Sequence, residues 1–194
     1  MTISAISPPT ILETKRLYLR ELTPEKYKQL FEQLSEEDIK SYLGINDDAE
    51  YEEAVQRYEK GLTTNYYNFK GFHLLDKETN RNIGRCDYHT WVTSHKRAEI
   101  GYTITDEAYK NKGLMTEALA AVLAYGFERM ELYRVEALVA TYNVASLQLV
   151  SRFGFKREGL LRNHYMVDGV LEDSVMHSLL KPEFEEWQHL QAKA

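Results

Sequence analysis

The residues best suited to chemistry stand together in Lys110-Asn111-Lys112-Gly113, immediately before a run of helical apolar spacing that starts at Leu114. A helix N-terminus presents backbone N–H groups without helical acceptors and the positive end of the helix dipole. A glycine there lets the backbone bend and lets a phosphate approach with no Cβ in the way. The two lysines add positive charge. The segment therefore predicts a diphosphate-binding loop, with an ordinary basic helix entry as the alternative.

Neither of the two familiar nucleotide-binding motifs occurs in the sequence. There is no GxxxxGK[ST], the pattern of a P-loop, and no GxGxxG following a strand, the pattern of a dinucleotide fold. The basic loop consequently predicts a phosphate-containing ligand without predicting a P-loop nucleotidase or a dinucleotide-dependent enzyme.

Composition and charge narrow the class of protein. A chain of 194 residues suits one domain with a small appendage at most, and a hydrophobic fraction of 43% can fill a sizeable core. The formal net charge of −6 disfavours general binding to a nucleic-acid backbone and leaves room for a local basic pocket. No apolar run reaches membrane-spanning length, and the N-terminus lacks the order of a signal peptide. We expect neither a nucleic-acid partner nor a membrane partner.

The lone Cys86 limits covalent and metal chemistry. It leaves no intramolecular disulfide and no cysteine zinc cluster, so we expect no metal. It also fits a reducing compartment, and we expect a cytoplasmic protein.

The elements that precede the loop begin with a strand and two helices. Arg16–Leu22 alternates apolar and polar residues, the period of a half-buried strand. Thr23 and Pro24 then predict a helix start, and a second helix is predicted over Ala49–Gly61. The next segments predict an antiparallel meander of three strands: Phe69–Leu75, Ile83–Val92 and Ala98–Ile104.

The elements after the loop alternate between helix and strand. Leu114–Met130 has a broad apolar face and predicts a helix. Asp168-Gly169 predicts a hairpin turn between Val167 and Val170. The remaining predictions are a strand Arg134–Ala140, a short helix Asn143–Phe153, strands Phe155–Leu161 and Asp173–Leu180, and a terminal helix Pro182–Gln191.

Several motifs, in order, resemble GNAT acetyltransferases of the RimJ/RimL-like branch, the ribosomal-protein alanine N-acetyltransferases. The family loop reads [QR]-x-x-G-x-[GA], and the segment Lys110–Met115 keeps Gly113 but has Lys in the first position and Met in the last. The other matching segments are T-x-R-L-x-L-R at Thr14–Arg20, A-E-I-G-Y at Ala98–Tyr102, T-E-A at Thr116–Ala118, N-x-x-S at Asn143–Ser146, R-x-G-F at Arg152–Phe155, E-G at Glu158-Gly159 and D-G at Asp168-Gly169.

This resemblance implies an α/β GNAT fold. Its central seven-stranded sheet would be mixed, mostly antiparallel and splayed between the fourth and fifth strands, here Ala98–Ile104 and Arg134–Ala140, with helices on both faces. The implied acetyltransferase domain covers residues 13–181. A flexible arm, residues 1–12, would precede it, and a C-terminal helix or tail, residues 182–194, would follow it.

The resemblance also implies acetyl-CoA as the cofactor and no metal. The pantetheine arm would pair with the backbone near Tyr102, Thr103 and Ile104. Asn143 would contact the same arm, or serve only as a helix N-cap. Arg152 would contact an adenosine-side phosphate, or be a solvated helix-end arginine. The pyrophosphate would be held by the loop and helix start: Lys110, Asn111, Lys112, Gly113, Leu114, Met115 and Thr116.

Catalysis requires a group that takes the amine proton and a group that stabilises the departing thiolate. Glu99 is the implied base, directly or through a water, with a salt bridge to a nearby cation as the alternative. The usual thiolate acid, a tyrosine, is replaced by Val150, so Ser146 would take its place, or be a capping serine. A glutamate of the RimL-like enzymes falls at Tyr165, and the adjacent His164 is a further candidate base or a surface histidine.

The implied activity is acetyl transfer to a primary amine by direct attack in a ternary complex. The acceptor would be the N-terminal α-amine of a protein or peptide, and the alternative is a small amine such as a polyamine, amino sugar, amino acid or drug. The negative net charge suits either cationic acceptor. Because Val150 replaces the usual acid, an acyl-CoA-binding module without catalysis is a third hypothesis. GNAT proteins often pair, so a homodimer is a possible assembly.

Overall fold

The computed structural model describes residues 10–60 and 69–193, in which eight strands and six helices follow one another. The strands are β1 (Ile11–Glu13), β2 (Leu17–Leu22), β3 (Lys70–Asp76), β4 (Asn82–Val92), β5 (Arg97–Ile104), β6 (Arg134–Ala140), β7 (Lys156–Val167) and β8 (Val170–Leu180). The helices are α1 (Pro24–Gln33), α2 (Glu36–Leu43), α3 (Asp48–Glu59), α4 (Leu114–Glu128), α5 (Val144–Arg152) and α6 (Lys181–Gln191).

The strands form a mixed sheet in the order β1-β2-β3-β4-β5-β6-β8-β7. The pairing of β5 with β6 is parallel, whereas the pairings of β1 with β2, β2 with β3, β3 with β4, β6 with β8 and β7 with β8 are antiparallel. The predicted fold class is therefore confirmed. The sheet has eight strands rather than seven, because Ile11–Glu13 pairs along β2 as an additional strand that is too short to show an alternating pattern.

The parallel pair is joined only at its start. Its register links Arg97 to Arg134, Ala98 to Val135 and Glu99 to Glu136. From there β6 keeps its antiparallel pairing with β8 as far as Ala140. This short register agrees with the splay predicted between these two strands.

The chain divides into two compact units, Met1–Thr90 with Gly101–Ala124, and Trp91–Ile100 with Tyr125–Ala194. In the first unit, α1, α2 and α3 bury an apolar cluster that includes Leu22, Tyr27, Leu30 and Ile39. The rings of Phe31 and Tyr58 stack on each other at the edge of this cluster, with their centroids 4.7 Å apart. The three helices are therefore held by a core of their own.

Neighbouring residues of β4 face opposite sides of the sheet in the first unit, because side chains alternate along a strand. The buried Tyr88 hydroxyl donates a hydrogen bond to the Val122 carbonyl of α4 at 2.9 Å. Asp87 lies on the other side, where it lines a cavity together with Ala54 and Arg57 of α3. Within this unit, helices thus cover both faces of the sheet, as predicted.

The second unit has an aromatic core beneath α6. The Phe184 ring lies 5.0 Å from that of Phe127 and 5.7 Å from that of Trp187. Trp187 in turn packs against Phe153 and donates from Nε1 to the Arg152 carbonyl at 2.9 Å. The terminal helix predicted over Pro182–Gln191 is therefore present, and it packs on the aromatic core of the second unit, to which it belongs.

One helix escaped prediction, since three helices rather than two follow β2 within residues 10–60. The additional helix is α2, whose N-cap Ser35 accepts a hydrogen bond from the Asp38 N–H at 3.2 Å. Gly44 ends it in the left-handed conformation, with φ of 69°. Eight residues are too few to establish an apolar period, and only the two capping residues marked the helix in the sequence.

Two local predictions are confirmed in detail. Thr23 caps α1 by accepting from the Lys26 N–H at 3.2 Å, and Pro24 occupies the first helical position. Val167 pairs with Val170 across the predicted turn, where Asp168 and Gly169 have φ of 48° and 81°. Positive φ at both central residues is the geometry of a type I′ hairpin turn.

The predicted N-terminal arm, residues 1–12, is described only from residue 10 onward. Residues 1–9 of the predicted arm lie outside the described residues, and Ile11 and Leu12 belong to β1. In the described ranges 10–60 and 69–193, no helix combines the length and apolarity that crossing a bilayer requires.

Candidate functional site

The predicted phosphate loop lies in the first unit, between β5 and α4. Asn111 and Gly113 both have positive φ, 59° and 75°, so the backbone turns sharply twice before the helix. The first helical hydrogen bond runs from the Glu117 N–H to the Gly113 carbonyl at 3.1 Å. The N–H groups of Leu114 and Met115 precede that bond, at the end of the helix where the dipole is positive. The loop therefore has the geometry of an anion site.

The space above Gly113 is open. A Cβ added there would meet a single neighbour, Arg16 Nη2, at an ordinary distance of 3.7 Å. The positive φ favours glycine, and the open space would be filled by a side chain. A phosphate group can therefore approach the backbone at this point.

The two loop lysines are held by local contacts. Lys110 forms an ion pair with Glu107, which offsets part of the charge that the sequence analysis assigned to the loop. Lys112 Nζ lies 5.8 Å from the centre of the Tyr109 ring. Lys112 therefore stands over an aromatic surface at the mouth of the loop.

A network from the turn before β2 braces the loop, and it was not predicted from the sequence. Arg16 donates from Nη1 to the Lys112 carbonyl at 2.9 Å and from Nε to Glu117 Oε2 at 2.8 Å. The Thr14 hydroxyl and the Arg16 N–H both donate to Glu117 Oε1 at 2.6 Å. Burial by itself would raise the pKa of the Glu117 carboxyl, but these hydrogen bonds and the Arg16 charge lower it. Glu117 is therefore held as a charged acceptor that ties the helix start to the turn before β2.

A groove of about 450 Å³ adjoins this network, and most of its charged side chains are cationic. It is lined by Lys15, Arg16, Lys77 and Lys112 together with Asp76 and Glu78. The positive charge around the loop thus comes from the turn before β2 and from the turn after β3 as well as from the loop itself.

The predicted pantetheine segment is the second half of β5, also in the first unit. Tyr102 and Thr103 are half-buried and line a cavity of about 270 Å³. Ile104 is half-buried at the end of the strand. The other residues that line the cavity are Phe69, Arg85, Asp87, His89 and Gly101.

Asp87 is the buried carboxylate of that cavity. Burial raises its pKa from the ordinary 3.8 to about 6, although Arg85, the Phe72 N–H and His89 act in the opposite direction. Its Oδ1 accepts from the Phe72 N–H at 3.3 Å, and its Oδ2 lies 3.5 Å from Arg85 Nε. A carboxylate with this pKa is mostly charged at neutral pH and can still accept a proton.

Asp87 was not predicted from the sequence, because a single acid within a strand carries no motif. In β4 the polar residues Arg85, Asp87 and His89 alternate with apolar ones, a pattern that predicts a solvent-facing side for Asp87. The burial of Asp87 depends on neighbouring elements, which the strand alone does not reveal.

The predicted base Glu99 lies in the second unit, in the paired start of β5, and is 9% exposed. Its Oε1 accepts a hydrogen bond from the Tyr165 hydroxyl at 3.3 Å. The alternative predicted for Glu99 was a salt bridge to a cation. The hydroxyl of Tyr165 is a partner that was not predicted. The adjacent His164 is exposed and lies 3.3 Å, through Nδ1, from Ser174 Oγ.

The start of α5 holds two further predicted residues of the second unit. Asn143 caps the helix, and its Oδ1 accepts from the Ser146 N–H at 3.1 Å. Ser146 is half-buried in the first turn, and Val150, one turn later, is completely buried. Arg152 is exposed at the end of the helix, as in its alternative interpretation. The capping role of Asn143 is thus present, and a cofactor role for these residues stays a prediction.

Residues 10–60 and 69–193 contain no candidate metal site. Nowhere in these ranges do three or more His, Cys, Asp or Glu side chains converge as metal ligands.

Comparisons with known proteins identify the family. The family model described as acetyltransferase (GNAT) domain matches residues 16–156. The uncharacterized N-acetyltransferase YoaA of Bacillus subtilis (strain 168) is 33% identical over 89% of this chain and 97% of its own length. The [ribosomal protein uS5]-alanine N-acetyltransferase of Escherichia coli (strain K12) is 31% identical over 58% of each chain.

A solved structure supports the fold independently of close sequence identity. The crystal structure of an acetyltransferase (GNAT family) from Bacillus anthracis has a TM-score of 0.62 at 23% identity, and the match covers 89% of this chain and 99% of that one. The family match spans most of the described chain, and the YoaA match extends over nearly its full length. The chain therefore belongs to the GNAT family of acetyltransferases.

Proposed function

We propose that the chain binds acetyl-CoA at the loop before α4 and acetylates a primary amine, the N-terminal α-amine of a protein or peptide. The observation that carries the cofactor assignment is the open backbone at Gly113, with its positive φ and the cations around it. Acetyl-CoA, when bound, supplies an activated acetyl thioester. The loop residues would hold its diphosphate: Lys110, Asn111, Lys112, Gly113, Leu114, Met115 and Thr116.

Further cofactor contacts are proposed for residues of β5 and for residues at the two ends of α5. The backbone of Tyr102, Thr103 and Ile104 would accept the pantetheine amides. Asn143 would add a contact beyond its capping role, and Arg152 would face a phosphate. Ser146 would donate a hydrogen bond to the departing sulfur, because Val150 has no group that can do so. Glu99 is the base that the sequence analysis proposed.

The N-terminal α-amine is favoured as acceptor by the partial match to the uS5-alanine N-acetyltransferase. A small amine is the second candidate, because the cavity of about 270 Å³ beside Asp87 would admit an aminoalkyl group. Cytoplasmic location and a homodimer remain predictions.

An acceptor panel tests the proposal. Purified protein is incubated with acetyl-CoA and with Ala- and Ser-starting peptides, N-blocked copies of the same peptides, spermidine and glucosamine, and the products are analysed by mass spectrometry. We expect acetylation of the free peptides and none of the N-blocked copies. Acetylation of spermidine or glucosamine alone would transfer the proposal to the small-amine class. Binding of acetyl-CoA with no acetylated product would favour the non-catalytic module.

A further inference from the structure

Three residues of β4 present charged or titratable groups on one face of the sheet. Arg85, Asp87 and His89 stand at every second position of the strand, so their side chains share that face. All three line the cavity that also contains Gly101, Tyr102 and Thr103 of β5. The cavity therefore brings a buried carboxylate to the strand that is proposed to accept the pantetheine arm.

Two glycines of neighbouring strands make room for this face. Gly71 is the register partner of Asp87 on β3, and a Cβ there would lie 2.7 Å from Asp87 Oδ1. A Cβ on Gly101 of β5 would lie 2.9 Å from His89 Cε1. Contacts that short exclude a side chain at either position unless its neighbour moves. The Asp87 carboxylate and the His89 imidazole thus occupy space that exists because Gly71 and Gly101 have no side chains.

A second cavity leads from Asp87 toward α3. It has a volume of about 250 Å³ and shares Phe69, Arg85 and Asp87 with the first cavity. An acceptor chain can therefore run past α3 and end at Asp87. The charged and titratable groups on this approach are Tyr27 of α1, Glu50, Glu53 and Arg57 of α3 and His73 of β3.

His73 does not compete for the role of base. Burial, with the charges of Arg57, Arg85 and Arg20, lowers the pKa of its imidazole to about 4. Such a group is neutral at pH 7 and too weak a base to hold an amine proton. Among the groups of the two cavities, Asp87 is the buried carboxylate that both of them share.

We propose that the two cavities that meet at Phe69, Arg85 and Asp87 form the acceptor pocket. The Asp87 carboxylate binds the ammonium group of a primary amine there and accepts its proton. The inference rests on the proposed acetyl transfer and assigns to Asp87 the role that the sequence analysis gave to Glu99. Arg85 Nε lies 3.5 Å from Asp87 Oδ2 and holds the carboxylate in place.

The step converts the ammonium group and the thioester into an amide and a thiol. Of the three protons on the ammonium nitrogen, one goes to Asp87, one to the departing sulfur, and one stays on the amide. The acceptor nitrogen uses its freed lone pair to form the bond to the acetyl carbon. The carbon–sulfur bond breaks, and its electron pair leaves with sulfur. Asp87 then releases its proton to solvent.

The test compares two isosteric variants, Asp87→Asn and the exposed control Glu32→Gln on α1, in steady-state acetylation of the panel amine that the wild type acetylates fastest. We expect Asp87→Asn to lower kcat/KM for the amine by about 100-fold or more and to move the acid limb of its pH profile up toward the pKa of the amine itself. Glu32→Gln should keep the wild-type limb. Calorimetry should give an acetyl-CoA Kd for Asp87→Asn that agrees with the wild-type value, which shows that the variant is folded and loaded.

Two further measurements separate proton transfer from structure. Asp87→Glu keeps a carboxylate and should recover part of the lost rate. An aminooxy analogue of the acceptor is neutral at pH 7 and needs no base, so the deficit of Asp87→Asn should shrink with it. A deficit of equal size for both acceptors would overturn the role of base.

The inference and the proposed function fail in different ways. If the wild type binds acetyl-CoA and acetylates an amine, but Asp87→Asn retains the wild-type kcat/KM and acid limb, the inference is wrong and the proposed function stands. If the wild type acetylates no amine, the proposed function is wrong and the inference falls with it.

Discussion

Arg16 and Glu117 are separated by 101 positions in the sequence, yet Arg16 Nε donates to Glu117 Oε2 at 2.8 Å. Arg16 also holds the Lys112 carbonyl, so one guanidinium links the turn before β2, the loop and the first turn of α4. Two sequence motifs that were recognised separately, the strand beginning at Thr14 and the loop before Leu114, are therefore one structural unit. This contact orients the backbone that is proposed to hold the diphosphate.

Removing the charge of Glu117 should weaken cofactor binding. In Glu117→Gln one carboxylate oxygen becomes an NH2 group that cannot accept, so hydrogen bonds from Thr14 or Arg16 are lost together with the ion pair, and the brace of the loop weakens. We expect a stability loss of about 1 kcal/mol, because Arg16 is 44% exposed and solvent screens the pair, and an acetyl-CoA Kd raised about 3- to 10-fold. Chemical denaturation and calorimetry measure the two effects. Glu32→Gln, which loses an exposed pair with Lys28, is the control and should change neither value by much.

The phosphate-loop assignment predicts different outcomes for two glycines of similar backbone conformation. Gly113 has φ of 75° and Gly169, at the β7–β8 hairpin, has φ of 81°. Replacing either by Ala strains the backbone and should cost about 1–2 kcal/mol of stability. Only Gly113→Ala should also raise the acetyl-CoA Kd, by about tenfold, since its Cβ would occupy the space of the diphosphate. Equal affinity of the two variants for acetyl-CoA would contradict the assignment.

The raised pKa of Asp87 predicts a stability that falls as pH rises. The carboxyl titrates near 3.8 in the unfolded chain and near 6 in the folded protein, so the folded state holds the proton more tightly. Its contribution is complete below about pH 4 and is lost as pH rises through about 6, a change of roughly 2–3 kcal/mol. Asp87→Asn should therefore exceed the wild type in stability at pH 8 and approach it at pH 4.5, as measured by urea unfolding.

The exposed Asp48 provides the matched control for this pH dependence. Hydrogen bonding and ion pairing with Lys40 lower the pKa of Asp48, so its contribution to stability is present at neutral pH and lost on acidification. Asp48→Asn should gain nothing at pH 8. A gain of the same size in both variants would show that net charge, rather than burial of Asp87, controls the effect.

The contact of Gly71 with Asp87 predicts a positional effect on catalysis. In Gly71→Ala the new Cβ would clash with Asp87 Oδ1 and with the Phe69 ring, so the carboxylate must move. We expect a stability loss of about 1–3 kcal/mol and a fall in kcat of about tenfold or more at an unchanged acetyl-CoA Kd. Gly159→Ala on β7 meets nothing within 4 Å and should be close to neutral in both assays. If Gly71→Ala kept the wild-type kcat, the position of Asp87 would not matter for the reaction.

Most elements could be predicted from the sequence because each had a local signal. The apolar face after Leu114 and the Asp168-Gly169 turn are properties of short segments, and both predictions were correct to within a few residues. α2 was missed because its signal lay in two caps rather than in a period.

The site was only partly predictable, because its contacts join distant segments. The loop around Gly113 is a local feature, and its position at the start of α4 was predicted, whereas its role in binding stays a prediction. The brace from Arg16 and the pocket of Asp87 depend on which strands are neighbours, and on glycines whose missing side chains matter only once the strands pair. A single sequence does not contain that information in any short window.

Thermal unfolding with acetyl-CoA tests the central claim most directly, with NADH and ATP as controls. A ligand that binds only the folded state stabilises it by about 2.7 kcal/mol at 100 times its Kd. We predict a clear rise in Tm with acetyl-CoA, a smaller rise in Gly113→Ala, and no comparable rise with NADH or ATP. An unchanged Tm at millimolar acetyl-CoA would contradict the account, and the GNAT fold would then stand in this chain without the cofactor.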